Sequence, residues 1–279
     1  KITSETNREI CVTNPTDLGL DRLEIYIGAW SIPSTVSYNG INYTVSSIDH
    51  QAFTSCRLTS ISLPNTLVTI GDEAFCSTYI ETIIIPNSVN SIGKSVFSNC
   101  HSLRSISLSS QLSSIPDGAF GSCELLSDIT IPNSVTSIGQ IAFYGCENLK
   151  SINIPDGIKT IGGSAFNKTG LSSVSIPSSV NRIDYSAFYG CQHLENVYSY
   201  VFNPFNIGDG VFKGISSTAT LHLPQGTTSQ YQEYPEWTQY FSAIVDDLAN
   251  PNPPVTTYTL SIRSTGNGTA NYGGSAIRG

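Results

Sequence analysis

Five cysteines share one position of a recurring motif, which raises the question of thiol chemistry. The motif is seen in SVNSIGKSVFSNC (88–100) and SVTSIGQIAFYGC (134–146), and its cysteines, each three residues after a phenylalanine, are Cys56, Cys100, Cys123, Cys146 and Cys191. A thiol poised behind a glycine turn is one arrangement of a reactive nucleophile. Sister segments place Thr78, Thr169 and Ile215 at the same position, so we expect a buried slot for small or apolar side chains. Disulfides between neighbouring turns and a reactive site are the alternatives.

Other residue types with catalytic chemistry lack the spacing that the chemistry needs. The four histidines, at 50, 101, 193 and 222, form no HxxxH or HExxH pattern of a zinc site. The sequence also contains no GxSxG elbow and no phosphate-binding glycine loop. The carboxylate pairs Asp72-Glu73 and Asp246-Asp247 have no partner that the sequence can place. We therefore predict a protein that is not an enzyme and that uses no cofactor and no metal.

Composition narrows the classes of partner. Only 12% of the 279 residues are charged, about half of the usual ~25%. The net charge is -8 and the 13 Lys and Arg residues are scattered, which argues against nucleic acid and anionic membranes. No apolar run approaches the ~18 to 20 residues of a membrane span. We expect no membrane span in this chain, and a signal peptide that is absent from it, since it opens Lys-Ile-Thr without an apolar leader.

The motif is one turn of an internal repeat with steps of 22 to 24 residues. Eight phenylalanines mark it: Phe53, Phe75, Phe97, Phe120, Phe143, Phe166, Phe188 and Phe212. An isoleucine stands five residues before each, and a Leu-x-x-Ile-x-Ile/Leu-Pro segment follows most of them, as in 58–64 and 149–155. Its alternation predicts a short strand that the proline ends. Gly139 and its counterparts predict a bend, which Asp49, Pro116 and Asp184 occupy in other turns.

A single repeat is too small to fold alone. Its five or so large apolar side chains contribute roughly 1.5 to 3 kcal/mol each, whereas ordering ~23 residues costs about 35 kcal/mol. Stacking of successive repeats must supply the difference, so the sequence predicts a solenoid. Within it, we expect Val135, Ile138, Ala142 and Phe143 to form one inward-facing layer.

The form IPNSVxSIGxxAFxxC followed by xxLxSIxIP resembles the BspA-like leucine-rich repeats of bacterial surface proteins. The resemblance covers roughly residues 30–245. It implies a leucine-rich-repeat solenoid, a right-handed, horseshoe-like stack of strand units and short helical or turn units, with about eight repeats of 22–24 residues. It also implies export to the cell surface and a role in adhesion or in binding host proteins and other cells. The family pattern carries no catalytic residue.

The flanking segments predict caps and a tail. We expect an N-terminal β cap at 1–45, with a hairpin turn at Asn39-Gly40, and the solenoid at 46–226. A helical C-terminal cap at 227–247 begins with a capping-box pattern from Thr227 to Gln230 and is interrupted by Pro235. Trp30 and Trp237 are predicted lids over the core ends. A Pro-rich linker at 248–257 and the start of a truncated β-module at 258–279 follow.

The outward positions of the predicted strands are the candidate binding surface. Most hold serine or threonine. Our predicted partner site takes the strands on which a larger or more polar residue occurs, and consists of Ile84, Asp128 with its neighbour Thr130, Asn153, Asn196, Tyr198 and Tyr200. We predict a secreted or cell-surface adhesion or ligand-binding protein whose partner is a host or microbial surface protein or glycan. The alternatives are a spacer that projects a binding module at the C-terminus, and a polysaccharide-binding accessory domain. The second is disfavoured because the strands lack a row of exposed aromatics.

Overall fold

The computed structural model describes residues 2–4, 8–13 and 26–249. The predicted β-module at 258–279 and most of the predicted linker at 248–257 lie outside these residues. The N-terminal part holds the strands β1 (Ile2–Ser4), β2 (Glu9–Val12), β3 (Ile27–Ser31), β4 (Thr35–Tyr38) and β5 (Ile41–Ile48). β4 and β5 pair antiparallel, and Asn39 and Gly40 form the two-residue turn between them.

Each repeat then contributes up to two short strands. Those of the first four turns are β6 (Arg57–Ser62), β7 (Thr69–Ile70), β8 (Thr82–Ile84), β9 (Ser91–Ile92), β10 (Ser105–Ser107), β11 (Ser114–Ile115) and β12 (Asp128–Ile129). Those of the later turns are β13 (Ser137–Ile138), β14 (Thr160–Ile161), β15 (Ser173–Ile176), β16 (Arg182–Ile183), β17 (Asn196–Ser199) and β18 (Thr220–Pro224). The chain continues through α1 (Thr228–Gln232), α2 (Pro235–Thr238) and β19 (Ala243–Leu248).

Two parallel ladders run along the solenoid. The first is the short-strand ladder, which consists of β5, β7 and β9 and then of β11, β13, β14 and β16. Each of these strands ends at the repeat isoleucine. The second presents the long-strand face, which we define as the outward side of β3, β6, β8, β10, β12, residues 151–154, β15, β17, β18 and β19. Residues 151–154 carry no strand and interrupt this second ladder. The predicted leucine-rich-repeat solenoid is thus confirmed.

A third ladder joins the turns along the edge that carries the phenylalanines, which we call the turn edge. In each of the first seven turns the N–H groups of the phenylalanine and of the residues two before and two after it donate to carbonyl oxygens of the next turn. In the first turn these bonds are Gln51 to Asp72, Phe53 to Ala74 and Ser55 to Cys76, each at 2.8 Å. All these N–H groups point towards the C-terminal end. At that end, the Gly210 N–H donates to Oε2 of Glu236 in the cap, at 3.0 Å.

This ladder requires left-handed backbone at two positions per turn. The residues two before and two after every repeat phenylalanine have positive φ, between 51° at Ile141 and 78° at Gly214. Twelve of the sixteen are serine, asparagine or glycine, and the other four are Gln51, Glu73, Ile141 and Lys168. Within residues 26–249 the repeats contain turns and no α-helix, so the short helical or turn units that the resemblance implied are turns in this structure.

The core is a column of stacked phenylalanines. The eight rings are fully buried or nearly so, and successive ring centroids lie 5.2 to 5.8 Å apart with planes 3° to 18° from parallel. Contacts of this kind contribute about 0.5 to 1.5 kcal/mol each beyond the area that they bury. The predicted inward layer of Val135, Ile138, Ala142 and Phe143 is confirmed, because all four side chains are buried.

The recurring glycine is needed for close stacking of the turns. A Cβ at Gly139 would lie 2.5 Å from the backbone N of Asp117, and equivalent approaches of 2.1 to 2.6 Å are found at Gly71, Gly93, Gly162 and Gly208. None of these five has a left-handed φ. The recurring glycine therefore allows close backbone contact with the previous turn and does not form a left-handed bend, while Asp49, Pro116 and Asp184 stand at the same position in other turns.

The cysteine slot is buried, and its side chains act as hydrogen-bond donors. The thiols of Cys100, Cys123, Cys146 and Cys191 donate to the phenylalanine carbonyl of the preceding turn at 3.0 to 3.2 Å. Thr78 and Thr169 donate to the phenylalanine carbonyl of their own turn at 2.9 Å. The four cysteines are free thiols. Burial raises the pKa of the Cys146 thiol to about 12 and raises that of Cys191, so neither has the properties of a nucleophile.

The two ends of the column are closed by rings set edge to face. At the N-terminal end it is Tyr26 that packs on Phe53, at 4.8 Å, whereas Trp30 packs on Tyr26 and is 39% exposed. Trp30 is therefore not the predicted lid, because its strand β3 continues the long-strand face beside the core end. At the other end Trp237 is fully buried, as predicted, and its ring is tilted against Phe212 with the centroids 6.1 Å apart, while Phe241 packs edge to face on Phe212 at 5.1 Å.

The helical cap differs from the predicted capping box. Thr227 is the N-cap of α1, but its hydroxyl donates to the Pro224 carbonyl at 2.7 Å and makes no bond to the helix. Its own backbone is helical and its side chain is buried, which turns the hydroxyl away from the N–H of Gln230. Pro235 does not interrupt a helix; it begins α2, where proline is favoured because the first N–H needs no partner.

Candidate partner-binding face

The long-strand face is a regular array of small polar side chains. Its two outward positions per strand are occupied mainly by serine and threonine, as at Ser60, Ser62, Thr82, Ser105, Ser107, Ser173 and Ser175. Parallel pairing places equivalent residues directly beside each other, for example Thr82, Ser105 and Asp128, about 5 Å apart. A row of like charges at this spacing would repel, which is why a nearly uncharged ladder suits the stack.

The seven predicted site residues lie on this face but do not form one cluster. Ile84 is 72% exposed on β8, beside Ser107. Asp128 and Thr130 are exposed two turns further towards the C-terminus, and Asn153 is exposed on the turn after that. Asn196 and Tyr198 are half-buried on β17, and Tyr200, 40% exposed, continues the outward alternation past its end.

Only Asn196 and Tyr198 are brought together with further functional groups, at the C-terminal end of the face. The rings of Tyr198 and His222 stack with centroids 4.4 Å apart and planes at 24°. His222 Nδ1 lies 2.9 Å from Oδ2 of Asp247, and its Nε2 lies 3.1 Å from Oδ1 of Asn196. We call these four residues, Asn196, Tyr198, His222 and Asp247, the C-terminal cluster.

Hydrogen bonding fixes the orientation of the imidazole in either protonation state. An imidazolium donates to both Asp247 and Asn196, whereas a neutral ring donates from Nδ1 to Asp247 and accepts at Nε2 from the Asn196 amide group turned over. In a catalytic histidine whose Nδ1 is held by an aspartate, Nε2 faces the nucleophile and takes its proton. Here Nε2 of His222 faces Oδ1 of Asn196. The cluster therefore offers stacking and hydrogen bonding, which is the chemistry of binding.

Sequence reasoning missed His222 and Asp247. A signal for His222 exists, because TLHLP repeats the alternation of SISLP and places the histidine one turn beyond Tyr198 on the same face. Asp247 has no such signal. It is brought to the face by β19, which follows the cap helices and belongs to no repeat, and which pairs parallel with β18.

A match to a protein-family model shows the family to which the chain belongs. The model of the BspA type leucine-rich-repeat region matches in six copies, over residues 32–127 and 114–234, which is more than half of the chain. The chain is a BspA-type leucine-rich-repeat protein. The family and the fold are those of repeat scaffolds, and the predicted resemblance is confirmed.

Solved structures of bacterial leucine-rich-repeat proteins are similar to this BspA-type chain. A leucine-rich-repeat protein from Bacteroides ovatus is similar with a TM-score of 0.54 and 23% identity, over 78% of this chain and 71% of that one. One from Eubacterium ventriosum is similar with a TM-score of 0.51 and 25% identity, over 68% of this chain and 43% of that one. These likenesses show the fold. No curated protein sequence matches the chain.

Neither a metal centre nor a membrane-spanning helix is found among residues 2–4, 8–13 and 26–249 of this BspA-type chain. In that part, no three or more His, Cys, Asp or Glu side chains are grouped so as to hold a metal ion. No helix there combines the length and the apolar character that crossing a bilayer requires.

Proposed function

We propose that this chain is an exported, non-enzymatic surface protein that binds a protein partner through the C-terminal end of its long-strand face. Export is supported by membership of the BspA-type repeat family, because repeats of this type occur in bacterial surface proteins. A scaffold role is supported by the fold, in which the repeats stack on a continuous core and the outward side chains are free to vary.

The observation that carries the proposal is the stacked Tyr198–His222 pair held by Asn196 and Asp247. Aromatic side chains provide large contact areas at little entropic cost, and they are enriched where protein interfaces derive most of their binding free energy. The hydrogen bonds to His222 fix both rings before a partner arrives, which reduces the ordering cost of association. The surrounding serine and threonine hydroxyls suit a polar rim.

The proposal is tested with the full chain and purified extracellular-matrix proteins as immobilised probes, by biolayer interferometry. For any probe that binds, Tyr198→Ala is expected to weaken the affinity at least about tenfold, or 1.4 kcal/mol, and His222→Ala to have a similar effect. Ser62→Ala, at the equivalent outward position on β6, is the matched control and is expected to bind like the parent. Equal binding by Tyr198→Ala and the parent would place the site elsewhere.

A spacer function is the second candidate, and the continuous core favours it. Seven ring stacks and three ladders of hydrogen bonds connect the turns, which suits a stiff support for a module at 258–279. If a probe binds the full chain and a chain ending at Leu248 does not bind it, while Tyr198→Ala binds normally, the spacer is the better description.

A further inference from the structure

A groove on the short-strand ladder has the composition of a site for a neutral sugar. It has a volume of about 480 Å³, within the roughly 300 to 1,000 Å³ of small-molecule sites. Its lining includes the hydroxyl-bearing Ser137 and Thr160, the amide of Gln140 and the ring of Tyr185. It lies on turns four to seven, away from the C-terminal cluster of the long-strand face.

Tyr185 forms the aromatic wall, and the backbone beneath it is adapted to the ring. Gly163 lies directly under Tyr185, since a Cβ at Gly163 would be 2.8 Å from two of its ring carbons. The hydroxyl of Tyr185 accepts a hydrogen bond from the Gln140 side chain, two turns away. The hydroxyl of Tyr185 is hydrogen-bonded and its ring lies over Gly163, while the residue is still 51% exposed, so it presents a fixed aromatic surface to the groove.

The charges of the groove are already paired, which favours a neutral ligand. Asp184 accepts from Arg182 at 2.7 Å, and Asp117 lies 3.1 Å from the Lys94 ammonium. Each of these four side chains is therefore paired with an opposite charge. None of them is left as an unpaired cation for an anionic ligand or as an unpaired carboxylate for a cationic ligand. The only large aliphatic residue in the lining, Ile138, is 1% exposed, so the groove offers no apolar hole for a peptide side chain.

A second groove, at the equivalent place on turns one to three, shows which residues are particular to the groove at Tyr185. It has a volume of about 510 Å³ and is lined by serine, threonine, glycine and aspartate at corresponding positions. His50, Asp72 and Lys94 stand at the repeat position of Tyr185 in these three turns, and none of the described residues that line this groove is aromatic. Tyr185 and the glycine beneath it therefore distinguish the later groove from its counterpart.

From these contacts we infer that the groove at Tyr185 binds neutral pyranose oligosaccharides. The apolar C–H face of a sugar ring packs on an aromatic ring, and vicinal hydroxyls match planar amide, carboxylate and guanidinium groups. This binding is distinct from the protein partner proposed above and uses another surface. It also differs from the strand-borne row of aromatics that a polysaccharide-binding domain was expected to need.

The test uses the full chain and neutral oligosaccharides of five glucose, mannose or galactose units, followed by saturation-transfer NMR and calorimetry. At least one is expected to bind with a Kd of about 1 mM or lower. Tyr185→Ala is expected to weaken that binding at least about tenfold. Tyr189→Ala removes another exposed tyrosine of the same turn that does not line the groove, and it is expected to bind like the parent.

Three outcomes would overturn the inference: no oligosaccharide binds, Tyr185→Ala binds like the parent, or Tyr189→Ala loses as much affinity. Gln140→Ala serves as a second variant, because it frees the Tyr185 hydroxyl without removing the ring; a loss of a few-fold is expected, and no loss would count against the fixed platform. Tyr198→Ala is expected to keep sugar binding, so failure of the protein-partner proposal is distinguishable from failure of this one.

Discussion

At the residue scale, the left-handed positions of the turn edge constrain the sequence in a way that hydrophobic patterning does not reveal. The position two before each phenylalanine holds Gln51, Glu73, Ser95, Gly118, Ile141, Ser164, Ser186 and Gly210, all with positive φ. Glycine adopts this conformation without strain, and asparagine with little, whereas a β-branched side chain is strained there. Ile141 is the one β-branched residue among these eight.

Replacing Ile141 should therefore stabilise the protein. Ile141→Asn removes a strain of roughly 1 to 2 kcal/mol and gives up part of the contact of a side chain that is 42% exposed. We expect the free energy of unfolding to rise by about 1 kcal/mol and Tm by about 2 to 4 °C, as measured by urea and thermal unfolding.

Val68→Asn is the matched control for this substitution. Val68 is also β-branched and is 39% exposed, but its φ is not positive. This variant is expected to be neutral or less stable than the parent. A loss of stability in Ile141→Asn as large as in Val68→Asn would mean that the left-handed backbone at Ile141 carries no strain.

At the element scale, the short-strand ladder depends on the glycines that follow it. Gly139→Ala places a Cβ 2.5 Å from the backbone N of Asp117, so two turns must separate locally. We expect a loss of about 1 to 3 kcal/mol in the free energy of unfolding, the usual cost of an overpacked site. Urea unfolding monitored by circular dichroism measures it.

Gly157→Ala separates this contact from the general effect of replacing glycine. A Cβ at Gly157 would meet its nearest atom, the Asn133 carbonyl oxygen, at 3.4 Å. That is ordinary contact, and the lower entropy of the unfolded chain offsets any small adjustment. If Gly139→Ala and Gly157→Ala are equally stable, close approach of the turns is not the reason for the recurring glycine.

The elements show how far sequence reasoning reaches. The recurring Phe and Ile and the Leu-x-x-Ile-x-Ile alternation predict the solenoid and its inward layer, because burial imposes the same side chain at the same place in every turn. The candidate site is not periodic. His222 and Asp247 meet because β19 returns beside β18 after two helices, and no pattern in residues 225–248 predicts that return. Tyr185 and Gln140 likewise come together across two turns, through a side chain that reaches over Gly163.

At the scale of the whole molecule, the buried thiols make stability sensitive to alkaline pH. Burial raises the pKa of the Cys146 thiol to about 12 in the folded chain, from its ordinary value of 9.0. Above pH 9 the unfolded chain therefore loses a proton that the folded chain keeps, and the free energy of unfolding falls as pH rises. At pH 10 this thiol alone removes about 1.4 kcal/mol, and Cys191 acts in the same direction.

We expect the stability in urea to be level from about pH 7 to 8.5 and then to decrease up to about pH 10.5. Cys146→Thr, which uses the residue found at 78 and 169, is expected to fold and to lose less stability over the same interval. An identical decrease in the variant would assign the alkaline loss to other groups. The parent at pH 7 is also expected to resist alkylation at Cys146 until it is unfolded.

The common direction of the turn-edge hydrogen bonds has a consequence for assembly. Every such N–H points to the C-terminal end, where Glu236 accepts from Gly210. If two copies met through bare C-terminal ends, donors would face donors along this edge, so a symmetric dimer is disfavoured there. Ends without their caps would join only head to tail, and such a contact does not close on itself but extends into a fibre. By accepting from Gly210, the carboxylate of Glu236 occupies one of the donors that such a head-to-tail contact would use.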